Sequence, residues 1–304
     1  MKQKVLSLCF PTYNRGWCMK EQIERLKSCP KQTLDKMEII VSDNCSTDDT
    51  QQIVEEAIAS GFQCRYIRNE TNLGMDGNFV SCFRKAQGRY VWLLGDDDTI
   101  IIDSLVRIVD LLDVPEKYGL MHLYQKKDLK QDVIYVNDKD EMAKYVSYYV
   151  TFISANIVNT KYVPQINFEK YMGTWFTLMP LYITAFIREQ KNIVYGIQTF
   201  EKARDYSRNG GYDFFEVFVK NYQNIIEEHI KDKCLFLWLK KDIWPFIWGY
   251  SKRILINNEV GNFKYENGWK MLFKYYGNEW YFWWTLFKYP YGILKRQIKK
   301  VLKK

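Results

Sequence analysis

Three adjacent carboxylates, Asp96-Asp97-Asp98, follow the apolar and aromatic run Tyr90-Val91-Trp92-Leu93-Leu94 after a single glycine, Gly95. Three like charges in a row repel one another and bring no cation of their own. A hard divalent cation relieves them. Mg2+ or Mn2+ takes carboxylate oxygens and keeps positions open for phosphate oxygens, and such an ion neutralises a leaving diphosphate. The plainer alternative is a solvated turn that caps the next helix. A fourth carboxylate, Asp43, closes a second apolar run, Glu38-Ile39-Ile40-Val41, in the polar turn Ser42-Asp43-Asn44. Alone it too reads as a capping turn, but two acidic turns after two apolar runs favour one cation-ready cleft.

Composition removes several competing chemistries. The chain has two histidines, His122 and His229, too few for a histidine-built metal hydrolase. His122 sits in an apolar run and reads as core. Seven cysteines, an odd number without a C-x-x-C pair, speak against a disulfide scaffold and for a reducing compartment. Neither G-x-G-x-x-G nor G-x-x-x-x-G-K-S/T occurs, which argues against an ordinary dinucleotide site or a P-loop. The start, MKQKVLSLCFPTYNRG, is interrupted too soon for a signal peptide. No run of about 20 apolar residues predicts a transmembrane helix.

These residues need elements to hold them. Val5–Phe10 predicts a strand stopped by Pro11-Thr12-Tyr13-Asn14, and Trp17–Cys29 a helix with Met19, Ile23 and Leu26 on one face. A strand at 38–41, a helix carrying Ile53, Val54, Ala57 and Ile58, a strand at 64–67, a helix at 77–86, the strand 90–94 and a helix at 104–112 continue the alternation. Short connections between alternating elements predict an α/β fold with a mostly parallel central sheet. In such sheets ligands sit beyond the carboxyl ends of the strands. The clusters Pro11–Arg15, Asp43–Asp48 and Asp96–Asp98 all fall there. Further on, 120–124 and 133–136 read as short strands, and Phe152–Val158 as a strand with a polar interruption. Residues 214–239 and 248–256 read as helical.

Four ordered stretches carry a resemblance: Leu8-Cys9-Phe10-Pro11-Thr12-Tyr13-Asn14-Arg15; Ile39 to Thr50 with Ser42-Asp43-Asn44; Asn69-Glu70-Thr71-Asn72-Leu73-Gly74; and Gly88 to Asp98. Over about residues 4–115 the chain resembles a family 2 glycosyltransferase of the GT-A fold. Its Ser-Asp-Asn and Gly-Asp-Asp-Asp forms are similar to the abequosyltransferase-like branch of bacterial surface polysaccharide assembly. The resemblance implies that Pro11, Thr12, Tyr13 and Arg15 line a nucleotide pocket and that Asp43, with Asn44, holds the base. Asn72 and Gly74 would approach the nucleotide and ribose. The aspartate triplet takes the DxD position. One register pairs Asp96, toward the nucleotide, with Asp98 on the metal; the other sets Gly95 at the first position and makes Asp97 the metal ligand. The implied cofactor is Mn2+ or Mg2+, and the implied reaction is inverting transfer from a nucleotide-sugar donor to a saccharide acceptor. Ser154 and Asn156 would border the acceptor. Relatives place an acidic pair after that strand, whereas here the region reads Tyr171-Met172-Gly173-Thr174-Trp175-Phe176. The general base is therefore open among Glu169, Asp205 and Asp213. The polar, glycine-ended stretch from Phe200 to Gly211 reads first as an exposed loop, and otherwise as a mobile lid whose Arg204 or Arg208 meets the diphosphate.

The net charge of +8 is unevenly distributed. Residues 265–304 hold eight Lys, one Arg and two Glu, a net of +7, together with thirteen aromatics. Without a nucleic-acid module before it, this stretch does not read as a nucleic-acid groove. A helix packed on the catalytic domain is one alternative. The other is an interfacial segment on an anionic membrane surface, where Trp and Tyr favour the headgroup level and Lys meets anionic lipid. The expected organisation is a GT-A catalytic domain over 1–212, with a nucleotide-binding half to about 115 and an acceptor-side half after it, then a helical extension over 213–304. The expected location is cytoplasmic, peripheral on the inner face of the cell membrane, with a lipid-linked acceptor of the polyprenyl diphosphate kind. A nucleotidyltransferase and a non-catalytic nucleotide-sugar-binding subunit are the competing readings.

Overall fold

In the computed structural model, which describes residues 3–123, 129, 131–201, 211–257 and 262–288, the fold is built outward from β1 (Leu6–Thr12). All seven of its residues are buried, as expected of a parallel strand covered on both faces. Helix α1 (Gly16–Lys27) and the short α2 (Lys31–Leu34) lead to β2 (Met37–Asp43). Next come α3 (Thr50–Ala59), β3 (Arg65–Arg68), α4 (Gly74–Lys85) and β4 (Tyr90–Leu93). Strand β1 pairs in parallel with both β2 and β4, and β2 in parallel with β3. The carboxyl ends of β1, β2 and β4 therefore share one edge of the sheet.

A two-residue strand β5 (Thr99–Ile100) and α5 (Ile102–Leu112) follow, then β6 (Leu120–Leu123), β7 (Val133–Val136), α6 (Lys139–Val146) and β8 (Asn156–Asn159). Helix α7 (Met179–Arg188), β9 (Asn192–Tyr195) and β10 (Phe200–Glu201) complete this part. The eight-stranded sheet runs β3-β2-β1-β4-β8-β6-β9-β7, and β10 pairs with β5 separately. The first four strands are parallel; β8 runs antiparallel to β4 and β6, and β7 antiparallel to β9. One face of β1 sends Leu6, Leu8 and Phe10 into a core with Met19, Ile23 and Leu26 of α1 and Leu105, Ile108 and Leu112 of α5. Each such side chain contributes about 1.5–3 kcal/mol by leaving water.

Two expectations are corrected here. Phe152–Val158 is not one strand: Ile153–Ala155 form a single 3-10 turn and β8 begins only at Asn156. The helix after Asp98 is as expected, but the one expected at 77–86 starts earlier, at Gly74, so the Asn72-Leu73-Gly74 turn leads directly into α4.

The chain divides into two compact units, Met1–Tyr206 and Ser207–Lys304. In the second, the expected single helix over 214–239 is broken. A π-helical stretch, Glu216–Asn221, runs into α8 (Tyr222–His229), and α9 (Lys233–Asp242) starts afresh because Asp232 caps it, accepting the Leu235 N–H at 2.7 Å. Helix α10 (Trp244–Ser251) has Pro245 in its first turn, and α11 (Gly268–Tyr276) is followed by a helical stretch over 280–288. Trp244 is the hub of this unit, with ring centres 4.7 Å from Tyr276, 5.8 Å from Tyr281 and 5.7 Å from Phe282. Among the described residues no helix is long and apolar enough to cross a membrane. All seven cysteines are free thiols.

Candidate active site

The Asp96–Asp98 turn leaves β4 at the carboxyl edge of the sheet, where it meets the end of β1. Asp96 is 5 % exposed. Its Oδ2 accepts the Thr12 hydroxyl at 2.7 Å and its Oδ1 accepts from Arg15 Nη1 at 2.7 Å. The same Arg15 nitrogen lies 3.1 Å from Asp97 Oδ2. Burial pushes the Asp96 carboxyl above its usual range, against the pull of Arg15 and Thr12. Arg15 itself is raised: burial opposes its charge, but Asp96 and Asp97 outweigh that cost.

Asp98 is held from the other side. Ser154 donates its hydroxyl to Asp98 Oδ2 at 2.6 Å and accepts the Gly95 N–H at 3.0 Å, while its own carbonyl accepts the Trp92 indole N–H at 2.9 Å. The backbone of the turn is stapled by Gln22 of α1. Its amide Nε2 donates to the carbonyls of Asp98 at 2.7 Å and Asp96 at 3.2 Å, and its Oε1 accepts the Ile100 N–H.

A second layer forms at the ends of β2 and β3. Asn44 Nδ2 donates to Asn72 Oδ1 at 2.8 Å and to the Gly74 carbonyl at 3.1 Å, and the Asn44 N–H donates to the Thr12 carbonyl. Pro11 lies opposite Ser42 in the β1–β2 register, and Tyr13 is 43 % exposed just beyond it. The structure thus brings Pro11, Thr12, Tyr13, Arg15, Asn44, Asn72, Gly74, Asp96, Asp97, Asp98 and Ser154 to one edge.

Asp43, opposite Thr12 at the end of β2, is fully buried: Oδ1 accepts the Ser46 N–H at 2.9 Å and Oδ2 the Tyr66 hydroxyl at 2.6 Å. Asn156 is buried, with Oδ1 at 3.0 Å from His122 Nδ1 and Nδ2 donating to the Phe152 carbonyl, which places it in the core. Glu169 is exposed and paired with Arg84 near the end of α4. Gly74, at the start of that helix, is ten residues away, about 15 Å along the axis, so Glu169 stands toward the opposite edge of the sheet. Asp213 belongs to the second unit and caps it, accepting the Glu216 N–H at 2.8 Å and the Glu266 N–H at 2.5 Å. Arg204, Asp205 and Arg208 lie outside the described residues.

Two further side chains were not singled out by the sequence. Gln22 is fully buried; the signal was a polar residue on the apolar face of α1, between Met19 and Ile23. The other is Asp76, in the first turn of α4. Its Oδ2 accepts the Gly173 N–H at 2.8 Å, while its Oδ1 is buried with no hydrogen-bond donor. Burial pushes its carboxyl up, against the pull of the Gly173 N–H. The loop over it bends through two left-handed residues, Gly173 (φ 76°) and Trp175 (φ 68°). Thr177 and Trp175 line a small cleft with Thr151 and Ile153. Asp76 thus meets the Gly173–Trp175 loop from a helix far away in sequence.

No group of three or more His, Cys, Asp or Glu side chains is arranged as a metal cage among the described residues. A smaller donor set does exist. A Cβ at position 95 would lie 3.1 Å from Asp97 Oδ1, 3.2 Å from Asp98 Oδ2 and 3.4 Å from Ser154 Oγ. A side chain at this position would press on these oxygens, so the glycine lets them gather there. Hard carboxylate oxygens in that number suit a cation completed by substrate phosphates instead of an all-protein cage.

The family model of glycosyl transferase family 2 matches residues 7–200. The abequosyltransferase RfbV of Salmonella typhimurium is 33% identical over 135 residues, 44% of this chain and 39% of that protein. The GalNAc(5)-diNAcBac-PP-undecaprenol beta-1,3-glucosyltransferase of Campylobacter jejuni is 34% identical over 101 residues, 33% of this chain and 32% of that protein. The matched stretch thus spans well under half the length of these curated relatives. Among solved structures, S. aureus TarS 1-349 in complex with UDP-GlcNAc superposes with a TM-score of 0.64 at 16% identity, covering 83% of this chain and 76% of that one. The mannosyltransferase PcManGT from Pyrobaculum calidifontis, in complex with GDP-Man and Mn2+, gives 0.53 at 14% identity over 83% of this chain and 76% of that one. The shared architecture is the GT-A fold.

Proposed function

The chain belongs to glycosyl transferase family 2, and from that premise we propose that it moves a sugar from a nucleotide-sugar donor to a saccharide acceptor, with inversion, in cell-surface polysaccharide synthesis. The observation that carries this reading is the convergence of Thr12, Arg15, Asp96, Asp97, Asp98 and Ser154 on one sheet edge. We assign catalysis to the domain over about residues 1–212 and take 213–304 as an extension. Tyr13, Asn72 and Gly74 would border the nucleotide.

Asp97 and Asp98 would hold Mn2+ or Mg2+, which when bound supplies positive charge to the departing nucleoside diphosphate. The chain's own residues do the rest. Thr12 and Arg15 fix Asp96, Ser154 fixes Asp98, and Gln22 fixes the turn between them, so the cluster is set before substrate arrives. In the transfer, the acceptor hydroxyl oxygen bonds to the anomeric carbon as the bond from that carbon to the diphosphate breaks. The hydroxyl proton passes to a carboxylate. We assign that carboxylate to Asp76, supported by its unpartnered Oδ1 and its position beneath the Gly173–Trp175 loop. The acceptor is a lipid-linked saccharide of the polyprenyl diphosphate kind, and residues 265–304 carry the enzyme to an anionic membrane surface at the inner face of the cell membrane. The polyprenyl-linked acceptor in the name of the Campylobacter relative supports that choice.

A donor panel read by thermal unfolding with Mn2+ or Mg2+ tests the donor half, since a ligand that binds only the native state raises its stability. Turnover of the stabilising donor should release a nucleoside diphosphate and no pyrophosphate. Pyrophosphate release, or cation-dependent transfer left intact in both Asp97→Asn and Asp98→Asn, would overturn the reading.

A further inference from the structure

The helical stretch 280–288 is aromatic on two faces, and the two are treated differently. Tyr281 and Phe282 are buried, and the Thr285 hydroxyl accepts the Trp244 indole N–H at 3.1 Å. This face docks the stretch onto α10 and α11. Trp280, Trp283, Trp284 and Phe287 are 64, 52, 51 and 79 % exposed. Their spacing, i, i+3, i+4 and i+7, defines one side of a helix. The stripe continues onto α11: the Phe273 ring centre lies 5.9 Å from that of Trp283 and 6.4 Å from that of Trp269, and Phe273 and Trp269 are exposed too.

Cations are set into this ridge. The Lys241 ammonium lies 5.0 Å from the Trp280 ring centre and that of Lys288 lies 4.3 Å from Trp284. Lys270 and Lys274 are exposed on α11 beside Trp269 and Phe273. The neighbouring acid, Glu279, is turned to Lys240 at 2.7 Å. We propose that the ridge Trp269–Phe273–Trp280–Trp283–Trp284–Phe287 is a docking face for an anionic lipid bilayer, its rings seated at the headgroup level and its lysines meeting lipid phosphates. This deepens the membrane reading given above and depends on it. The Trp283 indole N–H is donated to the Gly277 carbonyl at 2.7 Å; the rings of Trp280 and Trp284, apolar in body and polar at the indole N–H, suit that depth, and lysine stems reach past them to the charged groups. A second copy of the chain is the poorer occupant, because two such ridges would bring lysines against lysines. A nucleic acid is also poorer, because the outward side of a helix offers no groove to follow a phosphate backbone.

The experiment uses the full chain with vesicles of phosphatidylcholine alone or mixed with phosphatidylglycerol. Co-sedimentation should require the anionic lipid and weaken with salt. Brominated acyl chains should quench the tryptophan emission of the unaltered protein. The fourfold change of Trp280, Trp283, Trp284 and Phe287 to Ser should lower vesicle affinity by roughly tenfold or more. Donor protection of the first unit, measured on the same samples, should not change; its loss on its own would count against the catalytic reading and leave the ridge untouched. Equal vesicle binding by variant and parent overturns the proposal. So does a parent that ignores vesicles but self-associates, or binds RNA in preference to lipid, through the same four residues.

Discussion

Asp76 and Asp96 hold their protons more tightly folded than unfolded, because burial penalises their charged forms. The sign of the consequence is fixed by linkage: the native state binds more protons than the unfolded one, so each group takes stability away as pH rises from the ordinary carboxylate value of about 3.9 through its folded value. Asp76→Asn keeps an oxygen for the Gly173 N–H and removes the titration. The melting temperature of this variant relative to the parent should therefore climb as pH rises above about 4. In the same variant kcat should fall by about 10²–10⁴ and lose its acidic limb, while donor-dependent thermal protection is retained. A fall of less than tenfold would remove Asp76 from the proton-transfer role. The acidic triplet was legible in the sequence because three consecutive aspartates after an apolar run are conspicuous. Asp76 was not, because one aspartate in a helical first turn reads as an ordinary partner of the helix dipole, and its meeting with Gly173 is a contact between residues 97 positions apart.

Helix α1 shows why elements were easier to read than their purpose. Its apolar spacing gave its place against the sheet, and Met19, Ile23 and Leu26 are buried as that spacing requires. Gln22 lies among them, and its three hydrogen bonds tie α1 to the carboxylate turn. Replacing it with Ala leaves buried carbonyl and amide groups unpaired, at a cost of about 1–3 kcal/mol each when fully unsatisfied. Gln22→Ala should lower the melting temperature and weaken cation-dependent donor protection. Equal donor protection in Gln22→Ala and parent would mean that the turn holds itself. Strand β8 gives the opposite lesson. Apolar character over Phe152–Val158 suggested one strand, but Ser154 is needed at Asp98, and a 3-10 turn brings it there before the strand begins. Long-range hydrogen bonds of this sort override local pattern, and no local pattern announces them. The same holds for α9, whose start at Asp232 is a capping signal inside what otherwise reads as one helix.

At the scale of the whole molecule, the parallel half of the sheet followed directly from strand–helix alternation, while the antiparallel insertion of β8 between β4 and β6 did not. Two units with separate cores invite separate responses to ligand. Seven of the ten tryptophans, from Trp238 to Trp284, belong to the second unit, so tryptophan emission reports chiefly on it. A bound donor with Mn2+ should therefore raise the far-ultraviolet melting transition more than the tryptophan-detected one. Equal shifts in both would show that the units melt together. The thiols divide along the same lines. Cys9, Cys18, Cys29 and Cys82 are buried, and burial pushes Cys18 to about 12 and Cys29 and Cys64 to about 11. Cys234, on α9, is the exposed one. At neutral pH a maleimide dye should react there first. The wild-type chain thus carries its own attachment point for a fluorophore, on the unit that also bears the aromatic ridge, and energy transfer from that dye to labelled vesicles could follow docking in real time without any engineered residue.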